Sequence, residues 1–184
     1  MKILFVNISK NWNGRVYPEY PIGIGILATM AKKAGHDVKI YDMAVSNELL
    51  TNVVRDFLPD VTALSFLSTS ATTASAVINS LNDEPCGHLI AGGIHASIFP
   101  VEVLNMGVDF VLKGEGELNF IPLIQLLSAT PYKSDNYHKQ IKNIPNLVFK
   151  DDTGVFQYTE PSTKSVDLTT SGWIDRDLFE LNLY

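Results

Sequence analysis

The sequence predicts an α/β fold, a flavodoxin-like doubly wound sheet of five parallel strands in the order 2-1-3-4-5, with a C-terminal β-hairpin extension. Two observations predict it. Short apolar runs alternate with helix-like segments over residues 1–130, and several runs are apolar on consecutive residues, which is typical of strands buried on both faces. Later, two extended runs flank the turn Asp151-Asp-Thr-Gly154, which indicates a hairpin.

Each element follows from its local pattern. The predicted strands are Ile3–Ile8, Asp37–Tyr41, Ala63–Phe66, Leu89–Ala91 and Asp109–Leu112. The predicted helices are Ile22–Ala34, Ser46–Phe57, Thr69–Leu81, Pro100–Met106 and Glu117–Leu127, with Ser46 as an N-cap and Gly35 as a stop. The polar segment 128–143 is interpreted as a surface connection, and the hairpin pairs Asn146–Lys150 with Val155–Tyr158.

Composition narrows the function classes. The 184 residues are 46% hydrophobic and 18% charged, as expected of a globular protein. A net charge of −6 argues against nucleic acid or an anionic membrane as the main partner. With no membrane-length apolar run and no signal peptide pattern, the expected location is the cytoplasm. Cys86 is the single cysteine, so the chain holds no internal disulfide and no cysteine metal cluster.

Two glycine-rich loops follow the fourth and fifth predicted strands. They are Ala91-Gly-Gly-Ile-His-Ala-Ser97 and Gly114-Glu-Gly-Glu117. Glycines at strand ends let a ligand approach the backbone closely, so these loops predict the floor of a ligand site. The loop from Asn7 to Pro21 carries three aromatic residues at the same sheet edge, and we expect it to face the ligand.

Several motifs have a second interpretation. Gly23-Ile-Gly-Ile-Leu-Ala28 matches a dinucleotide fingerprint, but the long loop before it and its helical pattern argue against that use. The hydroxyls of Ser68, Thr69 and Ser70 either cap a helix or bind phosphate. His95 has no second metal ligand at fixed spacing, so we predict neither a metal site nor a catalytic residue.

Taken together, these segments resemble the N-terminal cobalamin (B12)-binding domain of cobalamin-dependent radical S-adenosylmethionine (SAM) enzymes. The resemblance rests on Tyr20-Pro-Ile-Gly-Ile-Gly25, on the Gly92-Gly93 loop with His95, and on Asp109-Phe-Val-Leu-Lys-Gly-Glu-Gly-Glu117. It implies a Rossmann-like cobalamin domain over residues 1–130, with residues 131–184 as a hairpin and linker toward a radical SAM domain.

The resemblance also implies cobalamin as cofactor and methyl transfer as the usual chemistry. The motif Cys-x-x-x-Cys-x-x-Cys is absent, so the 4Fe-4S cluster and S-adenosylmethionine would belong to a further domain, in cis or in trans, and this chain alone would not be catalytic. The nucleotide tail would pass Ser65, Leu67 and the double glycine, with the corrin near Gly114. The implied cofactor-binding residues are Asn11, Trp12, Tyr20, Gly23, Ser65, Leu67, Ser68, Gly92, Gly93, His95, Gly114, Glu115 and Gly116.

One departure from related cobalamin domains is specific. Mutase-type domains carry Asp-x-His-x-x-Gly, and here Pro18 and Tyr20 stand at the aspartate and histidine positions. A phenol is a poor cobalt ligand, so the resemblance implies a lower axial position without a protein histidine. Two alternatives stay open: a cofactor-free docking or substrate-positioning module, and an independent flavodoxin-like nucleotide or flavin binder.

Overall fold

The chain forms one twisted sheet covered by helices on both faces. The computed structural model describes residues 1–9, 20–167, 173–180 and 184. Its strands are β1 Lys2–Ile8, β2 Asp37–Asp42, β3 Val61–Phe66, β4 His88–Gly92, β5 Phe110–Leu112, β6 Leu147–Lys150 and β7 Phe156–Tyr158. The sheet order is β2-β1-β3-β4-β5-β6-β7, and the first five strands are parallel. The predicted order is confirmed, and the hairpin β6–β7 extends the same sheet antiparallel to β5.

The helices divide the core into two layers. They are α1 Ile22–Lys33, α2 Leu50–Phe57, α3 Ala71–Leu81, α4 Ile94–Ile98, α5 Pro100–Asn105, α6 Phe120–Ala129 and α7 Asp135–Gln140. Helices α2, α3 and α5 bury their apolar residues on one face of the sheet, and α1, α6 and α7 on the other. Among the described helices, none is long and apolar enough to cross a bilayer.

Two local predictions were wrong. Ser46 does not cap α2: its hydroxyl accepts a hydrogen bond from the Glu48 N–H at 3.2 Å in a short turn, and the helix begins at Leu50. The segment 128–143 is not only a surface connection, because it contains α7. Tyr137 and Ile141, four residues apart, are 3% and 1% exposed and anchor α7 to the sheet.

Residues 174–180 and 184, here called the C-terminal strap, pack over α1. The Lys32 ammonium lies 2.7 Å from the Asp175 carboxylate, and the Asp175 N–H donates to the Thr29 hydroxyl at 2.9 Å. A Cβ atom on Gly25 would lie 2.9 Å from the Ile174 side chain. The second glycine of the dinucleotide fingerprint is therefore helical and covered by the strap, with no opening for a phosphate.

The hairpin turn depends on the Asp151 carboxylate. It accepts hydrogen bonds from the Thr153 hydroxyl, from the N–H groups of Thr153 and Val155, and from the Gln157 amide. These bonds, that of the Thr153 hydroxyl first, lower the pKa of Asp151 from 3.8 to about 2. A lowered folded-state pKa stabilises the fold fully above 3.8, and this stabilisation is lost as the pH falls through 2.

We therefore expect hydrogen-exchange protection in β6 and β7 to fall between pH 4 and pH 2, a window that follows from that lowered pKa. Asp151→Asn should lower protection at pH 6 and abolish the pH dependence. Asp152→Asn is the matched control, because its carboxylate faces Lys133 and His138 instead. Equal protection factors for the wild-type hairpin at both ends of that window would contradict this account.

Candidate cofactor-binding site

Two adjoining cavities open at the carboxyl edge of the parallel strands. The outer cavity, about 540 Å³, lies over the ends of β1 and β3, and the slot, about 180 Å³, lies between the sheet and the helices α1 and α6. Both are lined by Gly23, Ile24, Ser65 and Gly93. In open α/β sheets this edge is where ligands bind.

The slot exists because small residues stand where the elements meet. Gly93 has a φ of +91°, and a Cβ there would lie 3.0 Å from the Ser65 hydroxyl oxygen and 3.3 Å from the Phe66 carbonyl oxygen. A Cβ on Gly116 would lie 2.9 Å from the Leu27 side chain. By contrast, a Cβ on Gly23 or Gly114 would meet no atom within 4 Å, so these two positions border open space.

The short helix α4 ties three loops of this edge together. The His95 ring, 4% exposed, shares a 3.1 Å hydrogen bond with the Ser68 hydroxyl in the loop after β3. The Ser97 hydroxyl donates to the Gly93 carbonyl at 2.8 Å and accepts from the Gly114 N–H at 2.9 Å. The loops after β3, β4 and β5 are thus fixed relative to one another, which preorganises the cavity walls.

His95 itself points away from both cavities. Its ring packs against Phe66 and Phe99, with centroids at 5.4 and 5.2 Å, and its Nε2 lies 3.7 Å from the Glu102 carboxylate. Each of the four histidines is described, and none lines the slot or the outer cavity. Within the described residues, no cluster of three or more His, Cys, Asp or Glu side chains is arranged to hold a metal ion.

Tyr20 lines the outer cavity, and the C-terminal strap holds it there. Its ring centroid lies 4.3 Å from that of Phe179 and 5.0 Å from that of Tyr184. The Tyr184 hydroxyl in turn donates to the Asp42 carboxylate at 2.6 Å. Among the residues that the structure describes, the Tyr20 hydroxyl has no hydrogen-bond partner, and burial raises the pKa of Tyr20. The Tyr20 residue therefore lines the cavity, while its neutral hydroxyl group is buried.

The structure brings most of the predicted residues together. Gly92, Gly93, Gly114, Glu115 and Gly116 line the slot, and Leu67 lines the outer cavity. Ser68 lines neither, since its hydroxyl binds His95. Asn11 and Trp12 lie outside the described residues.

Sequence reasoning missed the apolar side chains of the slot and the contacts of the strap. Leu27, Ala63 and Ile90 line the slot although they read as ordinary core residues. Tyr184 reaches Asp42 across 142 positions, and no local signal predicts such a contact.

The B12-binding domain family matches residues 14–123, which is more than half of the chain and includes every described residue that lines the slot except Phe5. The chain belongs to this family. Recognition of a cobalamin-binding domain from its glycine loops is thereby confirmed, as are the Rossmann-like fold and cobalamin as the cofactor class.

Relatives of this B12-binding domain are much longer proteins. It is 28% identical over 153 residues to cytidylyl-2-hydroxyethylphosphonate methyltransferase of Streptomyces wedmorensis, covering 70% of this chain and 29% of that protein. It is 26% identical over 135 residues to hopanoid C-3 methylase of Methylococcus capsulatus, covering 70% and 26%. The chain thus spans less than a third of the length of either relative.

Two solved structures share the fold of the B12-binding domain. The cobalamin-dependent S-adenosylmethionine radical enzyme OxsB, with aqua-cobalamin and S-adenosylmethionine bound, superposes with a TM-score of 0.74 at 17% identity, covering 89% of this chain and 22% of OxsB. A cobalamin-binding protein of Desulfitobacterium hafniense gives 0.54 at 18% identity, covering 68% and 58%.

The residues of this B12-binding domain fit a corrinoid. A flat macrocycle needs an open, largely apolar surface, and exposed Leu67 and Ile94 line the outer cavity. A nucleotide tail needs a narrow passage beside it, and the slot meets the outer cavity at Gly23 and Gly93. A Cβ atom at Gly93 would narrow that passage.

Proposed function

We propose that this chain holds and orients cobalamin for a radical SAM enzyme of the methyltransferase class. The observation that carries the proposal is the glycine-walled slot beside the outer cavity, at the edge where β3, β4 and β5 end. The methyltransferase class is supported by the two longer relatives whose names describe methyl transfer.

Each part of the site has a distinct task in this proposal. Ser65, Gly92 and Gly93 would border the nucleotide tail, and Gly114 to Gly116, in the loop after β5 at the same edge, would border the corrin at the mouth of the slot. The hydrogen bonds of His95 and Ser97 keep those loops in place before the cofactor arrives, which lowers the entropy cost of binding. Cobalamin, when bound, supplies a cobalt centre able to carry a methyl group.

The lower axial position would be free of protein histidine. Tyr20 stands at the expected histidine position, and this residue lines the outer cavity as a neutral phenol. None of the four histidines lines either cavity. Burial raises the pKa of Tyr20, so the phenolate that would ligate a metal is disfavoured at neutral pH.

Electron paramagnetic resonance tests this axial assignment. Free cob(II)alamin shows nitrogen superhyperfine splitting from its own lower base, and we expect that splitting to disappear when the protein binds it. His95→Gln should give the same spectrum as the wild type. A nitrogen splitting in the wild-type complex that vanishes in His95→Gln would contradict the proposal.

The partner domain is part of the same proposal. Residues 1–130 would form the cobalamin domain, and residues 131–184 would lead toward a radical SAM domain that holds the cluster and S-adenosylmethionine. We also propose a cytoplasmic location, as expected from the sequence. Purified chain mixed with hydroxocobalamin should carry corrin absorbance through gel filtration. Folded chain that carries none would favour the cofactor-free docking module instead.

A further inference from the structure

The register of the sheet shows how the slot changes with depth. Phe5, Ala63 and Ile90 are aligned across β1, β3 and β4. Two residues further along the strands, Ser65 is aligned with Gly92. Residues two apart point to the same face of a sheet, so the Ser65 row lies nearer the carboxyl edge and the Phe5 row lies deeper.

The deep row offers nothing to hydrogen-bond. The backbone N–H and C=O groups of β1, β3 and β4 there are engaged in the parallel ladder. Among the lining residues that the structure describes, the polar side chains are Ser65, Glu115 and Glu117, which belong to the edge row and the loop after β5. The far wall is the Phe5–Phe120 ring pair, with centroids 5.2 Å apart.

Ala63 provides the room at this depth. It is 8% exposed and stands between the larger side chains of Phe5 and Ile90 on the central strand β3. Any longer side chain at this position would extend into the slot from its floor. Ala63 therefore sets how far a group that enters past Ser65 can go.

We propose that the slot selects corrinoids by their lower base, accepting an apolar benzimidazole and discriminating against adenine, and that Ala63 gives the base its space. This inference rests on the proposed function, since it requires that the nucleotide tail enters the slot. An adenine base adds an exocyclic amine and further ring nitrogens. In solution, water forms hydrogen bonds with these groups, whereas the apolar side chains of the deep row cannot.

Three probes separate the contributions. They are hydroxocobalamin, the corresponding cobamide with adenine as its lower base, and diaquacobinamide, which has the corrin without the nucleotide. We expect the dissociation constant for cobalamin to be at least about tenfold lower than for either other probe, equivalent to about 1.4 kcal/mol. Quenching of tryptophan fluorescence by the corrin measures all three.

Two substitutions locate the effect. Ala63→Leu fills the deep row and should weaken cobalamin at least about tenfold while leaving diaquacobinamide unchanged, so the tail-free probe is an internal control for folding. Ala63→Ser adds a hydroxyl with little volume and should reduce the preference for cobalamin over the adenine cobamide. If Ala63→Leu unfolds at a lower temperature than the wild type, the binding preference of Ala63→Ser still tests base selection.

The outcomes distinguish base selection from cobalamin binding, the proposed function on which it rests. Equal affinity for the two bases, or an equal loss of cobalamin and diaquacobinamide in Ala63→Leu, overturns base selection and leaves cobalamin binding intact. Failure of the folded wild-type chain to bind any of the three probes overturns the proposed function, and base selection with it.

Discussion

Replacing Gly23 with tryptophan is expected to weaken cobalamin binding at least about a hundredfold, equivalent to about 2.7 kcal/mol, while the fold is kept. Gly23 lines both the slot and the outer cavity, and a Cβ there would meet no atom within 4 Å. A side chain at this position therefore has room to leave the helix, and an indole is large enough to block the passage between the cavities. Gly23 is the second residue of α1, outside the helix interior where replacing glycine stabilises most, so the free energy of unfolding should stay nearly level.

Lys33→Trp is the matched control, since Lys33 is exposed in the last turn of the same helix. It should bind hydroxocobalamin like the wild type. Gly93→Trp should also lose binding, but the φ of +91° and the nearby Ser65 hydroxyl mean that it should lose stability too. Gly23→Trp separates the loss of binding from the loss of stability. Wild-type affinity for cobalamin in that variant would show that cobalamin does not occupy the passage at Gly23.

Gly87→Ala is expected to cost about 3–5 kcal/mol of unfolding free energy, a large share of the roughly 5–15 kcal/mol typical of a domain. Gly87 has a φ of +64°, and a Cβ there would collide with the backbone carbonyl of Asp60. The backbone of Asp60 cannot move freely, because its carbonyl accepts the His88 N–H and its N–H donates to Lys2. The strain of the left-handed backbone conformation at residue 87 and the overpacking against Asp60 therefore both add to the loss of stability.

Gly35→Ala is the control for strain alone. Gly35 has a φ of +86°, yet a Cβ there would meet no atom within 4 Å, so we expect a loss of about 1 kcal/mol. Urea denaturation of both variants measures the difference. Gly87 precedes β4, at the sheet edge opposite the cavities, so cobalamin affinity per folded molecule should not change. Equal losses of stability in the two variants would show that the contact with Asp60 costs nothing.

The sequence predicted the sheet because its strands are buried on both faces. Consecutive apolar residues in β1 and β3 require cover on two sides, and alternating helices supply it. The glycine floor was predictable for a similar reason: Gly92-Gly93 follows an apolar strand directly, and only glycine tolerates the φ of +91° at Gly93.

Other features depend on contacts that no local pattern carries. Helix α4 has only five residues, with Ile94 and Ile98 exposed, so it lacks an amphipathic signature. Ala63 looks like any small core residue until the register places it between Phe5 and Ile90. The path of the strap over α1 to Asp42 follows from tertiary packing of Phe179 and Tyr184 on Tyr20.

If the slot and the outer cavity together hold one cobalamin, a titration with hydroxocobalamin should give a stoichiometry of one. Hydroxocobalamin added to the wild-type chain and to Gly23→Trp, followed by gel filtration and absorbance, gives the stoichiometry of each. We expect one corrin for each wild-type chain and almost none for the variant, with both proteins folded. Equal corrin content in the two proteins, or none in a folded wild-type chain, would contradict it.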